Sequence, residues 1–201
     1  MKKKCCVIGL GYIGLPTSII AASSGFEIIG VDKNEKVVNS LNKGIIHIVE
    51  PNLKEAFQEI LEKKLFKAQL KPDVADIFII AVPTPFQKKS NSYPIPNINY
   101  VLDAVESIIP FLKEDNLVIL ESTSPVGTTE EIADKIFSQT NLRRNQLKIA
   151  YCPERVLPGN ILNEIQSNDR VIGGINIASA KAAKEFYSKF SFGKYNLTNT
   201  K

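Results

Sequence analysis

The stretch Cys5-Cys6-Val7-Ile8-Gly9-Leu10-Gly11-Tyr12-Ile13-Gly14 joins a short apolar run to three glycines at the spacing GxGxxG. The apolar run predicts a buried strand, and the glycines predict a tight turn that opens a helix. In such a unit Gly9 allows the turn, Gly11 lets the backbone approach a pyrophosphate, and Gly14 lets the helix pack closely on the strand. The amides and dipole at the start of the helix favour phosphate. The stretch therefore predicts a dinucleotide site.

A carboxylate lies at the position where a dinucleotide site binds the ribose. Asp32 follows the next predicted strand, 18 residues after Gly14, near the spacing expected for the acid that binds a ribose diol. The carboxylate would repel a 2′-phosphate, so the sequence favours NAD over NADP. The alternative is that the glycines only form a turn and that Asp32 caps the following helix. The complete order of strand, glycines, helix, strand and acid favours the cofactor site.

Short apolar runs alternate with amphipathic stretches of helix length along most of the chain. The runs predict strands at 5–8, 28–31, 77–82, 117–120 and 147–151. The stretches between them predict helices at 12–24, 35–42, 51–66, 98–112 and 129–139. Strict alternation implies βαβ crossovers, and hence an α/β fold with a doubly wound, mainly parallel sheet of the Rossmann type.

The proline-rich segment from Pro83 to Pro96 is predicted to be a loop that leaves the carboxyl end of the 77–82 strand. Ligands bind at such strand ends in doubly wound sheets. The segment is therefore expected to border the cofactor.

Composition excludes several other classes of protein. At 44% hydrophobic and 23% charged residues, the chain can form a core and is not a disordered segment. No apolar run approaches the roughly 18 to 20 residues of a membrane span. The first residues do not have the pattern of a signal peptide. We therefore expect a cytoplasmic protein without a membrane partner. The net charge of +4 is scattered, which gives little support to nucleic-acid binding. Three cysteines suggest neither a disulfide framework nor a metal site.

Three further segments go beyond a generic nucleotide-binding fold. They are Ala81-Val82-Pro83-Thr84-Pro85-Phe86, Glu121-Ser122-Thr123-Ser124-Pro125-Val126-Gly127-Thr128-Thr129 and Tyr151-Cys152-Pro153-Glu154-Arg155-Val156-Leu157-Pro158-Gly159. With the glycine stretch, they resemble the NAD-binding part of the UDP-glucose/GDP-mannose dehydrogenase family over essentially the whole chain. The resemblance implies oxidation of a nucleotide sugar's primary alcohol to a carboxylate, with two NAD consumed. A cysteine nucleophile holds the sugar as a thiohemiacetal and then as a thioester.

The resemblance also implies where the cofactor is contacted. Tyr12 and Ile13 would contact the pyrophosphate through their backbone, and Thr84 and Thr123 would line the nicotinamide end of the cleft. The alternative for Thr123 is a capping residue before the helix predicted at 129–139.

Catalytic and substrate residues follow from the same resemblance. Glu154 corresponds to the proposed acid/base of thioester hydrolysis, and Arg155 and Val156 lie where the nucleotide sugar is contacted. A carboxylate beside the Thr123 hydroxyl can hold and deprotonate a water if burial brings its pKa toward the working pH. The alternative for Glu154 is an ordinary loop carboxylate.

The resemblance is strongest to the branch of the family that acts on UDP-N-acetyl-D-mannosamine. His47-Ile48-Val49-Glu50-Pro51 and Asn168-Asp169-Arg170-Val171-Ile172-Gly173-Gly174 belong to this version, and Pro158 stands where some relatives carry a second glutamate. It implies a UDP-acetamido-sugar substrate, a role in surface-polysaccharide precursor synthesis, and a homo-oligomer for the full-length enzyme. UDP-N-acetylglucosamine and UDP-N-acetylgalactosamine remain alternative substrates.

Residues 1–195 are predicted to form the NAD-binding domain and residues 196–201 the start of a connection. Members of the family continue into a long helix, a Gly-Gly-x-Cys loop with the nucleophile and a second nucleotide-type domain, none of which has a counterpart in this sequence. Cys152 lacks a predictable basic partner and is expected to be a buried structural thiol. We therefore expect the chain alone to be inactive. The alternative is a nucleotide-binding module that acts without turnover.

Overall fold

The computed structural model describes residues 2–87 and 93–200, and these form an α/β sandwich around one large sheet. The strands are β1 Lys4–Ile8, β2 Glu27–Val31, β3 Phe66–Gln69, β4 Ile77–Ile80, β5 Phe86–Gln87, β6 Ile95–Pro96, β7 Leu117–Leu120, β8 Lys148–Tyr151, β9 Arg170–Gly174 and β10 Tyr195–Asn199. The helices are α1 Gly14–Ser23, α2 Glu35–Asn42, α3 Leu53–Glu62, α4 Asn99–Ile108, α5 Thr128–Gln139, α6 Ile161–Ser167 and α7 Ile177–Tyr187, with a 3₁₀ turn at Ile109–Phe111.

The large sheet has the strand order β10-β9-β8-β7-β4-β1-β2-β3 within the described residues. Its pairings are parallel except that of β8 with β9. The chain runs outward from β1 through β2 to β3, then returns to the other side of β1 and runs outward again from β4. This reversal confirms the predicted doubly wound, mainly parallel sheet and puts the topological switch point between β1 and β4.

Each face of the sheet carries its own apolar core. Cys5 and Val7 of β1 belong to a cluster with α1, α3 and α7, whereas Cys6 and Ile8 belong to a cluster with α4 and α5. Neighbouring strand residues point to opposite faces. The wholly apolar strands are therefore buried on both sides, as a helix-covered parallel sheet requires.

Two of the described helices, α2 and α7, begin with an asparagine side-chain cap. The side chain of Asn34 accepts a hydrogen bond from the Lys36 amide at 3.0 Å and caps α2. Asn176 caps α7 in the same way by accepting from the Ser179 amide at 2.8 Å. Before α5 the residue in the cap position is Gly127, with φ of 92° and no side-chain cap.

Several elements differ from the sequence-based prediction. The helix predicted at 51–66 ends at Glu62, and Phe66–Gln69 pairs with β2 as an additional strand. Within the 83–96 segment, Phe86–Gln87 pairs antiparallel with Ile95–Pro96, while residues 88–92 lie outside the described residues. Elements α6, β9, α7 and β10 lack a predicted counterpart.

The last strand, β10, forms one edge of the large sheet. Residues 195–199 pair in parallel with β9, so the sheet continues four residues past the predicted domain boundary at 195. A polar sequence can form this strand because it lies at the edge of the sheet and is largely exposed.

None of the helices in residues 2–87 and 93–200 combines the length and the apolar character needed to cross a membrane.

Candidate functional site

A cleft of about 890 Å³ lies at the carboxyl ends of the central strands, where the doubly wound topology places ligands. The predicted site residues that line it are Gly9, Gly11, Tyr12, Ile13, Asp32, Thr84, Thr123 and Glu154. Gly14 is buried in the first turn of α1, next to the cleft. Residues from five separate segments thus meet at one edge of the sheet, because parallel strands end at the same edge.

Two of the three glycines are required by contacts within the chain. Gly9 has φ of 94°, and a Cβ there would lie 2.6 Å from the carbonyl oxygen of Ala81. A Cβ on Gly14 would lie 1.8 Å from the carbonyl oxygen of Gly9. Both distances are too short for a side chain, so these glycines permit the turn and the close approach of α1 to the sheet.

Gly11 has no such internal reason to be glycine. A Cβ built on it meets no atom within 4 Å of the described chain, and its φ lies outside the left-handed region. Gly11 lines the cleft. A ligand that approaches the backbone closely explains a glycine here, and packing within the chain does not.

The start of α1 offers backbone donors to such a ligand. In the described part of the chain, α1 has no side-chain cap and no acidic residue in its first turn. Amides at a helix start lack partners within the helix and carry the positive end of its dipole. The residues before it, Tyr12 and Ile13, line the cleft, so the arrangement fits the pyrophosphate of a dinucleotide.

Asp32 lies beside the glycine loop, just beyond the end of β2. Its carboxylate accepts hydrogen bonds from the amides of Leu10 at 3.1 Å and Asn34 at 2.9 Å. These contacts hold the side chain at the cleft while lone pairs remain for a ribose diol. Lys33 and Tyr100 also line this end of the cleft, with the Lys33 ammonium 4.5 Å from the centre of the Tyr100 ring.

At the other end of the cleft, the loops after β4 and β7 are tied together. The Thr84 hydroxyl donates to the carbonyl oxygen of Thr123 at 2.7 Å, and the Ser122 hydroxyl donates to that of Val82 at 2.7 Å. These bonds bring the two predicted threonines together over the strand ends. This end lies across the switch point from Asp32, where the nicotinamide half of an NAD molecule would extend.

Glu154 is buried rather than a free loop carboxylate. Its side chain is 3% exposed and forms a direct ion pair with Nη1 of Arg170. It also accepts a hydrogen bond from the amide of Arg155 at 3.1 Å. Arg170 is fixed in turn by donating to the carbonyl oxygen of Ile165 at 2.7 Å and by stacking 4.4 Å above the Tyr187 ring.

Sequence reasoning missed a second buried carboxylate in the cleft. Glu121 is 1% exposed, accepts a hydrogen bond from the Tyr187 hydroxyl at 2.7 Å, and accepts another from the Thr17 hydroxyl at 3.2 Å. Burial, with a smaller contribution from the Glu154 carboxylate, raises the pKa of Glu121 to about 7. Glu121 stands in the segment 121–129 quoted above, but its partners come from α1 and α7, and no local signal connects them.

The three cysteines belong to the apolar core and are not among the residues that line the cleft. Cys5, Cys6 and Cys152 are buried and unpaired. Burial raises the pKa of the Cys152 thiol to about 12 despite the neighbouring Arg170, so the thiolate is scarce at neutral pH. Cys152 fits the predicted structural role.

Arg155 and Val156 lie outside the main cleft. They line a separate open depression of about 470 Å³ together with Leu157, Glu164 and Asn168. Glu154 lines the main cleft, whereas the next two residues, Arg155 and Val156, line this depression. The structure thus separates the two predicted substrate residues from the predicted cofactor residues.

The fold and the cleft define the class of this protein, which is a Rossmann-type dinucleotide-binding domain. The family model for the UDP-glucose/GDP-mannose dehydrogenase family, NAD binding domain, matches residues 3–191. The chain belongs to this family of nucleotide-sugar dehydrogenases and its cofactor is NAD, which confirms the resemblance and the cofactor prediction.

The relatives identify the part of the family to which the chain is similar. It is 46% identical to UDP-N-acetyl-D-mannosamine dehydrogenase of Methanococcus maripaludis over 98% of the chain and 45% of the relative. Identity to the protein of that name from Campylobacter jejuni is 47%, over 98% of the chain and 50% of the relative. The chain thus spans about half the length of these curated relatives.

Two solved structures of UDP-N-acetyl-mannosamine dehydrogenases are also similar to the chain. The UDP-N-acetyl-mannosamine dehydrogenase of Staphylococcus aureus superimposes with a TM-score of 0.93 at 40% identity, over 98% of this chain and 47% of that chain. The corresponding enzyme of Pyrococcus horikoshii gives a TM-score of 0.90 at 37% identity, over 98% and 47%.

Proposed function

We propose that this chain is the NAD-binding part of a UDP-N-acetyl-D-mannosamine 6-dehydrogenase. The enzyme would oxidise the sugar's primary alcohol to a carboxylate in the cytoplasm, as a homo-oligomer, and supply a precursor for surface polysaccharides. The names of the similar proteins and the presence of Pro158 support this substrate. A relative 41% identical, an NDP-N-acetyl-D-galactosaminuronic acid dehydrogenase of Ralstonia nicotianae, supports the galacto-configured sugar as the alternative.

The observation that carries the cofactor assignment is the open position of Gly11 beside the uncapped start of α1. Backbone amides from Gly11 to Ile13 would hold the pyrophosphate, and Asp32 would accept hydrogen bonds from the adenosine ribose. Thr84 and Thr123 would line the nicotinamide. Bound NAD supplies a hydride acceptor at this end of the cleft.

Glu154 and Thr123 would act on the water that hydrolyses the thioester. Both line the cleft, and the ion pair with Arg170 holds the Glu154 carboxylate in one orientation. Arg155 and Val156 would contact the nucleotide sugar from the adjacent depression.

Turnover would require a nucleophile from outside this chain. Burial keeps Cys152 protonated, and the relatives are about twice as long as this chain. We expect the 201-residue chain to bind NAD but to form no uronic acid.

Calorimetric titration with NAD and NADP tests the cofactor assignment. The chain should bind NAD more tightly than NADP, and Asp32→Ala should weaken NAD binding about 10- to 100-fold, because hydrogen bonds to a charged group contribute about 1.5–3 kcal/mol. Asp134→Ala removes an exposed carboxylate on α5 and is the matched control. Equal affinity of the unmutated chain for the two cofactors would contradict the role of Asp32.

A further inference from the structure

The most unusual group that the proposed chemistry leaves unused is Glu121. Glu121 is one of the residues that line the cleft, in the segment after β7 and next to Ser122 and Thr123. This is the end of the cleft where the nicotinamide would lie. The side chain is nevertheless buried, at 1% exposure, so its charge is poorly solvated.

The buried cluster around Glu121 contains two carboxylates and one guanidinium. Arg170 forms its direct ion pair with Glu154, and none of the ion pairs within the described residues includes Glu121. Glu121 receives only neutral donors, the hydroxyls of Tyr187 and Thr17. Arg170 attracts an ionised Glu121, but its guanidinium is already paired with Glu154, so two carboxylates would share one cation.

The thiols and the phenol that face Glu121 stay protonated near neutral pH. From β1 and from the segment after β8, burial raises the pKa of the thiols of Cys5 and Cys152. From α7, burial raises the pKa of the Tyr187 hydroxyl well above its usual value. On β9, burial would lower the pKa of Arg170, but neighbouring acidic groups, Glu154 among them, outweigh burial and raise it. Thr17 on α1 does not titrate, and Glu154 is held in its ion pair.

An oxidised nicotinamide ring carries a positive charge, whereas the reduced ring is neutral. A cation in the cleft favours the ionised form of a carboxylate in its wall, and in a poorly solvated site this attraction acts beyond direct contact. We propose that Glu121 is the residue that discriminates between the two redox states, holding a proton in the free protein and releasing it to solvent when the oxidised cofactor binds. This inference depends on the proposed cofactor site.

The expected effects follow from linkage between binding and the proton. Burial sets the pKa of Glu121 at about 7, so the ionised fraction rises about tenfold between pH 6 and pH 8. If oxidised NAD binds the ionised form, its affinity should rise by up to about tenfold over this range. The affinity for NADH should not rise, and about half a proton should be released per oxidised NAD bound near pH 7.

The test is calorimetry of the whole chain with oxidised NAD and with NADH, in buffers of different ionisation enthalpy, from pH 6 to pH 8. Glu121→Gln keeps the shape of the side chain and should abolish both the proton release and the pH dependence for oxidised NAD. Tyr187→Phe removes a hydrogen bond that favours the ionised carboxylate and lies away from the cleft lining. It should move the midpoint of the pH dependence upward.

The outcomes separate the two proposals. Proton release that persists unchanged in Glu121→Gln, or equal release with NADH, would overturn the role of Glu121 while leaving the cofactor site in place. A midpoint that does not move in Tyr187→Phe would also overturn it, even if the glutamine variant failed to fold. If neither cofactor binds, the proposed function fails, and the inference fails with it.

Discussion

The burial of Glu121 makes the stability of the ligand-free chain depend on pH. Its pKa is about 7 in the folded protein, against 4.5 for a glutamate exposed to water, as in the unfolded chain. A carboxyl whose pKa is raised by folding stabilises the fold fully below pH 4.5, and this contribution is lost as the pH rises through 7. At about 1.4 kcal/mol for each pKa unit, the full contribution is about 3 kcal/mol, and most of it should be lost between about pH 5 and pH 8.

The comparison that isolates this effect is urea unfolding of the unmutated chain and of Glu121→Gln at several pH values in this range. Other titrating groups are common to both proteins and cancel in the difference. The unmutated chain should lose about 2–3 kcal/mol of stability relative to the variant between about pH 5 and pH 8. With an m value of about 2 kcal/mol/M, the two unfolding midpoints should shift against each other by about 1 M urea.

A control glutamine substitution belongs on the surface. Glu59 is 68% exposed on α3, where it pairs with Lys63, and Glu59→Gln should change stability by no more than about 0.5 kcal/mol at any pH. Parallel pH curves for the unmutated chain and Glu121→Gln would refute the reasoning, because they would mean that Glu121 titrates alike in the folded and unfolded states.

Three further predictions concern the cleft and its glycine turn. Gly11→Val should keep a native circular dichroism spectrum, because a Cβ at this position meets no atom within 4 Å. It should weaken NAD binding about 100-fold, because it blocks about 3 kcal/mol of backbone hydrogen bonds to phosphate. Unaltered binding would show that the cofactor does not use this loop. Gly14→Ala, with its Cβ 1.8 Å from the Gly9 oxygen, should instead fail to fold. In a version of the protein as long as its relatives, Glu154→Gln should retain hydride transfer and slow thioester hydrolysis about 100- to 10,000-fold, so that a sugar–enzyme adduct accumulates in intact mass spectra; an unchanged rate would remove Glu154 from the mechanism.

The fold class and the cofactor half of the cleft could be predicted from the sequence because their signals are local. The apolar run of β1, the three glycines and Asp32 lie within 28 consecutive residues, and each has a separate steric or electrostatic reason for its place. The elements after residue 151 were harder to predict. Their strands are short, and β10 is a polar edge strand held by its pairing with β9 rather than by an apolar pattern.

The buried charge cluster was decided by the tertiary structure alone. Glu121 meets Tyr187 66 residues later in the chain, and Glu154 meets Arg170 across 16 residues. Nothing in the spacing of these residues indicates which carboxylate receives the guanidinium and which receives only hydroxyls. The difference depends on how β9 and α7 pack against the end of β7. Glu154 becomes the ion-pair partner of Arg170. The pKa of Glu121 is raised to about 7, because a buried charge without a directly paired cation is costly.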